Sequence, residues 1–385
     1  MKRTKEMYDK VLQLRGKGLY IRDISKETGL SYGTVHTWLK DAGMNETTPE
    51  TETLETLAEK RLKQEEQKMS KECIKRASEI QIICDHIIRA SKVQSYIEPE
   101  KLDIDYSGKS TNTIPVLMFS DSQAGTFISS EATGGLNHYD KTVLKQQMEM
   151  LRDGIVSISL KQLSEHPILK IHMLGDMLEG LGIFPSQAFN CDMDLYEQFF
   201  AFADHVCKFL IELLQLYSRI EIKCIPGNHG RVGKRGENPH YINWDLFWYK
   251  HLEQKMQNYK QISWDITKSW WLTDTNHDTT SLLLHGDGIK SWMSLPYYGI
   301  ERADARYTKL FASMKNQYQL LEMGHFHTPT VLPSATGYTL INGCFTGASV
   351  YALKDLTTTS RPVQMMFGVH KQHGKTWSFP IYLDY

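Results

Sequence analysis

Five short blocks carry side chains that bind metals, and each follows a run predicted to be a strand. They are Ser120-Asp121-Ser122-Gln123, Gly175-Asp176-Met177-Leu178-Glu179-Gly180, Gly227-Asn228-His229-Gly230, His285-Gly286-Asp287 and Gly324-His325-Phe326-His327. Asp, Asn and His offer oxygen and nitrogen donors without a thiolate, a set that suits manganese, iron, zinc or magnesium. Together the blocks hold enough ligands for two neighbouring ions, with one histidine to spare. Two adjacent ions need a donor that touches both, and a carboxylate has two oxygens. A centre of this kind activates water and neutralises charge on phosphoryl oxygens, which is the apparatus for hydrolysing a phosphate ester.

The elements that must position these blocks alternate in type. Apolar, β-rich runs at 114–119, 168–174, 220–225, 281–284 and 320–323 are separated by helical patterns at 139–160, 195–217, 243–256 and 300–315. More strands are expected at 338–342, 364–370 and 377–383, the last two joined by a turn around His373-Gly374. This texture predicts an α/β fold in which sheet packs on sheet with helices outside. In such sheets ligands gather at the carboxyl ends of the strands, where all five blocks fall.

In this order the blocks resemble the calcineurin-like metallophosphoesterase superfamily, over roughly residues 114–385. The resemblance implies a four-layer β-sandwich flanked by helices and two divalent ions, Mn2+ first, with Fe, Zn or Mg as alternatives. It implies that Asp176 bridges the ions. Asp121 and His327, with Gln123, would complete one shell, and Asn228, His285 and His325 the other. His229 would face the scissile phosphate and assist the leaving group, while water activated between the ions attacks phosphorus. The family's first block usually reads Asp-x-His, but here it is Asp121-Ser122-Gln123. A glutamine carbonyl is a weaker, neutral donor, so the first site is expected to be looser, or to lose Gln123 from its shell entirely, and the second to be unaffected. The stretch Glu179-Gly180-Leu181-Gly182-Ile183-Phe184-Pro185-Ser186-Gln187 is similar to the one after the same motif in the exonuclease small subunit of archaeal family D DNA polymerase. It is also similar to the equivalent loop of phage metallophosphoesterases related to DNA-repair nucleases. This similarity implies nucleic acid, rather than phosphoproteins, as substrate. Arg231, Lys234 and Arg235, after His229, would then hold flanking phosphates, unless they are only a solvated basic loop. Asp287 is expected to orient a ligand from outside the metal shell.

Residues 1–44 read as a separate all-α unit. An apolar stripe of Met7, Val11, Leu12 and Leu14 ends at Gly16 and Gly18, a short helix stops at Thr28-Gly29, and Ser31 stands where a third helix needs a cap. The pattern resembles the helix-turn-helix of resolvases and phage regulators. Six Lys and three Arg against five Asp or Glu leave this segment at +4, the right sign for phosphate contact. DNA would be read by Tyr32, Thr34, His36 and Thr37, with Lys40 beside them. A helical protein-interaction module is the alternative.

Residues 45–110 form a hinge at 47–53 followed by a helix-rich linker, and 111–385 the enzyme domain. Cys73, Ala77, Ile80, Cys84 and Ile87 step by fours and threes. That narrow seam would serve either a homodimer, through the 70–90 helix or the enzyme domain, or a brace on the enzyme domain. The aromatic residues Trp244, Phe247, Trp248 and Tyr249, with Trp270-Trp271 and Tyr297-Tyr298, suit packing better than base stacking.

With 385 residues, 41% of them hydrophobic, and a net charge of −1, the chain is of globular type and has no bulk field that would draw it to nucleic acid. No run approaches the roughly 18 apolar residues of a membrane span, and the six cysteines are scattered as free thiols would be. The expected setting is cytoplasmic, in a bacterium or a phage-infected host. The whole reads as a DNA nuclease, endo or exo, targeted by its first domain. The alternatives are a phosphoesterase for nucleotides or RNA ends, and a DNA-binding scaffold whose metal site has decayed.

Overall fold

The computed structural model describes residues 2–44, 54–102, 112–162, 168–184, 187–290, 296–355 and 358–384. The hinge expected at 47–53 and the Pro185-Ser186 step lie outside the described residues. The chain divides into two compact units, Met1–Glu72 and Cys73–Tyr385.

In the first unit α1 (Lys2–Gly16), α2 (Ile21–Thr28) and α3 (Tyr32–Asp41) close on Val11, Leu14, Ile21, Ile24, Val35 and Leu39. Gly29 ends α2 in the left-handed region at φ 70°, which suits a residue without Cβ. Ser31 caps α3, its Oγ accepting the Thr34 N–H at 3.2 Å.

A long α4 (Leu54–Ala90) runs from the first unit into the second. In its later part Ala77, Ile80 and Cys84 pack into the second unit's main core, whereas Ile83 and Ile87 stay exposed. The expected seam is therefore used, in part, as a brace.

The second unit continues with β1 (Thr113–Phe119), α5 (Lys141–Gln162), β2 (Ile168–Met173), α6 (Leu195–Leu213), β3 (Arg219–Cys224), α7 (Trp244–Lys255), β4 (Ile262–Ile266), β5 (Trp271–Asn276) and β6 (Thr279–Leu284). Then come α8 (Tyr297–Ser313), β7 (Leu320–Met323), β8 (Thr330–Pro333), β9 (Tyr338–Ile341), α9 (Val350–Lys354), β10 (Val363–His370) and β11 (Gly374–Tyr382). The strands form two mixed sheets, ordered β11-β10-β1-β2-β3-β4 and β5-β6-β7-β9-β8. β1 to β4 run parallel, as do β6, β7 and β9, while β10 lies antiparallel to β1.

The expected α/β sandwich with flanking helices is what forms. Strands β4, β5 and β8 were not anticipated, and all three are edge strands. An edge strand buries less of its surface, so its apolar signal is weak.

Strands β1, β6, β7, β9 and β10 each serve two cores, because successive side chains leave opposite faces. Leu117 and Phe119 of β1, with Leu169, Ile171 and Met173 of β2, meet the helices. Val116 and Met118 meet Leu283, Leu320 and Leu340 of the facing sheet. A third core joins Leu282, Leu284 and Leu321 to Ile300 and Phe311 of α8. The order of layers is thus helix, sheet, sheet, helix.

A polar latch also crosses between the sheets. His172 of β2 is fully buried, with Nδ1 2.7 Å from Glu322 of β7 and Nε2 3.2 Å from Asp274 of β5. Lys170 donates to both Asp274 oxygens at 3.0 Å and lies 3.1 Å from Glu221. Lys223 stands 3.6 Å from Asp274, and the Asn276 amide donates to it at 2.9 Å.

Burial opposes a charge on His172, but Glu322 and Asp274 override it and raise the imidazole from 6.5 to about 9. A group whose pKa is higher in the folded chain stabilises in full below its unfolded pKa and loses that contribution as pH rises through the folded value. The unfolding midpoint is therefore expected to fall as pH rises from neutrality through about 9. The fall should be shallower in His172→Gln; equal slopes in thermal melts of the two proteins would dismiss the latch.

Candidate metal centre

The five blocks leave the carboxyl ends of β1, β2, β3, β6 and β7, and backbone hydrogen bonds carry the sheet pairing on into the loops. Asp121 N–H donates to Gly175 O at 3.1 Å, Gln123 N–H to Asp176 O at 2.9 Å, and Gly324 N–H to His285 O at 3.0 Å. Asp121, Gln123, Asp176, His325 and His327 all have positive φ, between 40° and 68°. Asp and His tolerate this region better than most residues, and glutamine has no such excuse. Outliers that cluster in this way are a signature of a functional site.

Two glycines let the loops approach. A Cβ on Gly227 would strike the Asp176 carboxylate, and one on Gly324 would strike that of Asp121.

Three donors converge. Asp176, His285 and His325 offer ligand atoms that all lie within 4.8 Å of one another. His285 Nε2 is 3.0 Å from Asp176 Oδ2 and 3.0 Å from Asn228 Oδ1. Its Nδ1–H donates to Leu174 O at 2.8 Å, which leaves Nε2 as the nitrogen available to a metal.

Burial alone would push the Asp176 carboxyl up, but His285 and His229 hold it well below the usual carboxylate range. The same contact raises His285 to about 10 against the effect of burial. His325 is pushed down to about 4 by burial and by His285, so it is the neutral form that a metal requires. A buried carboxylate and two imidazoles, oxygen and nitrogen donors only, fit one divalent ion of the manganese, iron, zinc or magnesium kind.

The other expected ligands flank this group. His327 Nε2 is 3.3 Å from Asp121 Oδ1 and 3.4 Å from the Gln123 amide. Asp121 already accepts from Ser120 Oγ at 2.5 Å and from His325 N–H at 3.0 and 3.1 Å. The two-ion expectation thus meets one three-donor group among the described residues, with Asp121, Gln123 and His327 beside it.

His229 also joins the cluster. Its N–H donates to Asp176 Oδ1 at 2.7 Å, and its Nδ1 is 2.9 Å from Glu179 Oε2. Glu179 is held in turn by Thr126 Oγ1 at 2.6 Å and Gln187 Nε2 at 2.9 Å. Against burial, Asp176 and Glu179 raise His229 to about 9, and a bound cation would bring it back down.

Arg231 pairs with Asp287. The charge of Asp287 also acts on His285, the ligand candidate two residues before it. Lys234 and Arg235 are exposed. On α3, Tyr32, His36, Thr37 and Lys40 are exposed; Thr34 is half-buried, and its hydroxyl is bound to the Ser31 cap at 2.8 Å. The aromatic residues of α7 are core: Phe247, Trp248 and Tyr249 are buried, and Trp248 stacks on Phe202 at 5.0 Å. His251 is buried against Phe199 and Phe200 with neither ring nitrogen hydrogen-bonded.

Sequence reading missed the residue that ties the loops together. Asp245, in the first turn of α7, accepts four backbone N–H groups, from Asp176 and Gly227 at 2.9 Å and from Met177 and Leu178 at 3.2 Å. Burial and the nearby Asp176 raise its carboxyl to about 6. Its local signal, an acid two residues after Asn243, reads as simple helix capping, and Asn243 does cap α7 at 2.8 Å. A second support was also unforeseen: the Asn342 amide donates to Ser120 Oγ at 2.9 Å and to Gln364 at 2.8 Å.

No family model matches the chain. It is 41% identical over 59 residues to the DNA polymerase II small subunit of Halobacterium salinarum, a stretch that covers 15% of this chain. The chain spans about a tenth of the length of the curated relatives it matches (10%). Among solved structures it is similar to zinc-bound Vps29 of Entamoeba histolytica, at 12% identity, over 70% of this chain and 100% of that one, with a TM-score of 0.30. It is also similar to a novel archaeal phosphodiesterase, at 10% identity over 69% and 99%, TM-score 0.32. A third is the hypothetical protein PH1004 of Pyrococcus horikoshii, at 12% identity over 70% and 89%, TM-score 0.34.

Metal content should follow this geometry. Purified protein with Mn2+ is expected to retain metal and to gain thermal stability, by about 2.7 kcal/mol at a hundredfold excess over Kd. Asp176→Asn and Gly227→Ala, whose methyl lands on Asp176, should lose both effects. Wild-type metal retention by Gly227→Ala in elemental analysis would contradict the packing described.

Proposed function

We propose that the chain is a metal-dependent phosphoesterase acting on phosphodiesters of nucleotides or nucleic acids. The observation that carries this reading is the convergence of Asp176, His285 and His325 with a histidine, His229, held by Glu179. Asp176, His285 and His325 would hold one ion, and Asp121, His327 and Gln123 a second, with Asp176 between them. When bound, such ions supply positive charge for the phosphoryl oxygens and acidify water.

The chain's own groups do the rest. Glu179 fixes the proton on His229 Nδ1, so Nε2, on the side of Gln123, is the nitrogen that in the imidazolium form would pass its proton to the departing oxygen. Asp245 keeps the backbone of Asp176 and Gly227 in register, so the carboxylate does not swing. Gln123 lies 3.4 Å from both His229 and His327 and links the two halves of the site.

Two substrate sizes fit this chemistry. The pairing of Arg231 with Asp287 withdraws one cation from the loop expected to grip a polymer, which favours a nucleotide or an RNA end. The exposed face of α3, with a net charge of +4 over residues 1–44, and the short likeness to a DNA polymerase small subunit favour a DNA nuclease. The retained donor set speaks against a decayed scaffold.

A panel of linear and circular DNA, RNA and small phosphodiesters, each with Mn2+, is the test. His229→Ala is expected to lower kcat by about 10²–10⁴ while sparing bound metal, and Asp176→Asn to abolish turnover. Cleavage of small esters with no polymer cut under any divalent metal would exclude the nuclease. Inactivity on every ester in a metal-loaded protein would exclude the enzyme altogether.

A further inference from the structure

One phenylalanine lies against His229, and two more, one of them packed on His138, are carried by backbone bonded to the same assembly. Phe184 meets the His229 ring edge-on, with centroids 6.2 Å apart and planes at 82°, and still leaves 37% of its surface exposed. Phe127 is 41% exposed and follows Thr126, the residue whose hydroxyl binds Glu179. Phe189 is 87% exposed, in the 3₁₀ turn Gln187–Asn190.

These rings sit on backbone that is tied to the catalytic dyad. The buried Gln187 amide donates to Glu179 O at 2.6 Å and to its Oε1 at 2.9 Å, and accepts the Ile183 N–H at 2.9 Å. Phe127 N–H donates to Asn190 O at 2.8 Å. The carboxylate that orients His229 therefore also anchors the segment that presents Phe184 and Phe189.

A planar base offers an aromatic face something to stack on, whereas phosphoserine, phosphothreonine and sugar phosphates have no aromatic ring to offer. Phenylalanine adds no hydrogen bond, so such a wall would tolerate any base. It would need that base free of its neighbours, as in a single strand, a frayed end or a nucleotide diester. Resting on the phosphoesterase reading above, we propose that Phe184 stacks an unpaired nucleobase beside the scissile phosphate and so selects base-bearing phosphodiesters.

The test uses two esters with the same leaving group, thymidine 5′-(p-nitrophenyl phosphate) and methyl p-nitrophenyl phosphate, on the full chain with Mn2+. The wild type is expected to prefer the thymidine ester by about tenfold in kcat/KM, in line with the worth of one stacked base. Phe184→Leu keeps apolar bulk against His229 and removes the aromatic face. Its preference should fall toward one through a raised KM for the thymidine ester, and Phe184→Trp should restore it. Equal losses on both esters in Phe184→Leu would mean that the ring merely props His229, and an unchanged ratio would mean that nothing stacks there; either overturns the proposal. Absence of turnover of both esters by metal-loaded wild type is a separate result, which removes the phosphoesterase reading and this inference with it.

Discussion

The site depends on backbone held where L-residues resist going. Asp121, Gln123, Asp176, His325 and His327 all sit in left-handed conformations, at about 1–2 kcal/mol each. A conformation so disfavoured persists only when its surroundings over-determine it. Here the surroundings are the N–H groups gathered by Asp245, the backbone bonds that extend sheet pairing from β1 into the β2 loop, and the Ser120, Asn342 and Gln364 network behind Asp121. The turns aim side chains from strands in two different sheets at one point, which straight strand ends would not do.

Charge is handled in two ways within one sandwich. Between the sheets, His172 and Lys170 are matched by Glu322, Asp274 and Glu221, so buried ions neutralise one another. Breaking such a set leaves an uncompensated charge, which is the costly event. At the rim, Asp176 faces His285, His325 is neutral, and the donors point at a common space. The first arrangement joins sheet to sheet. The second leaves its ligand valence open to a cation, as a binding site must.

Glu179 links chemistry to the surrounding loop. It orients His229, is steadied by Thr126 and Gln187, and through Gln187 fixes the segment that carries Phe184 and Phe189. The His229 ring and the backbone that carries Phe184 and Phe189 are therefore both tied to one carboxylate. Arg231 illustrates the opposite case: a cation that looked free for substrate is held by Asp287.

Much of this was legible in the residue order, for definite reasons. Central strands β1 and β7 bury both faces, so 114–119 and 320–323 stand out as apolar runs, while 220–225 shows the alternation of a strand buried on one face, and a ligand block follows each of them. Edge strands β4, β5 and β8 carry no such signal. Asp245 was invisible because its partners are backbone N–H groups from two loops distant in sequence, and a donor without a side chain leaves no trace in residue type. The pairing of Asp287 with Arg231 was hidden for a related reason: pairing between loops depends on which ends of the sheets face each other. The sequence by itself determined the donor types and the strands that end in them. Only the tertiary structure decided which donors meet, since convergence to within a few ångströms is set by sheet order, loop backbone and the groups that hold both in place.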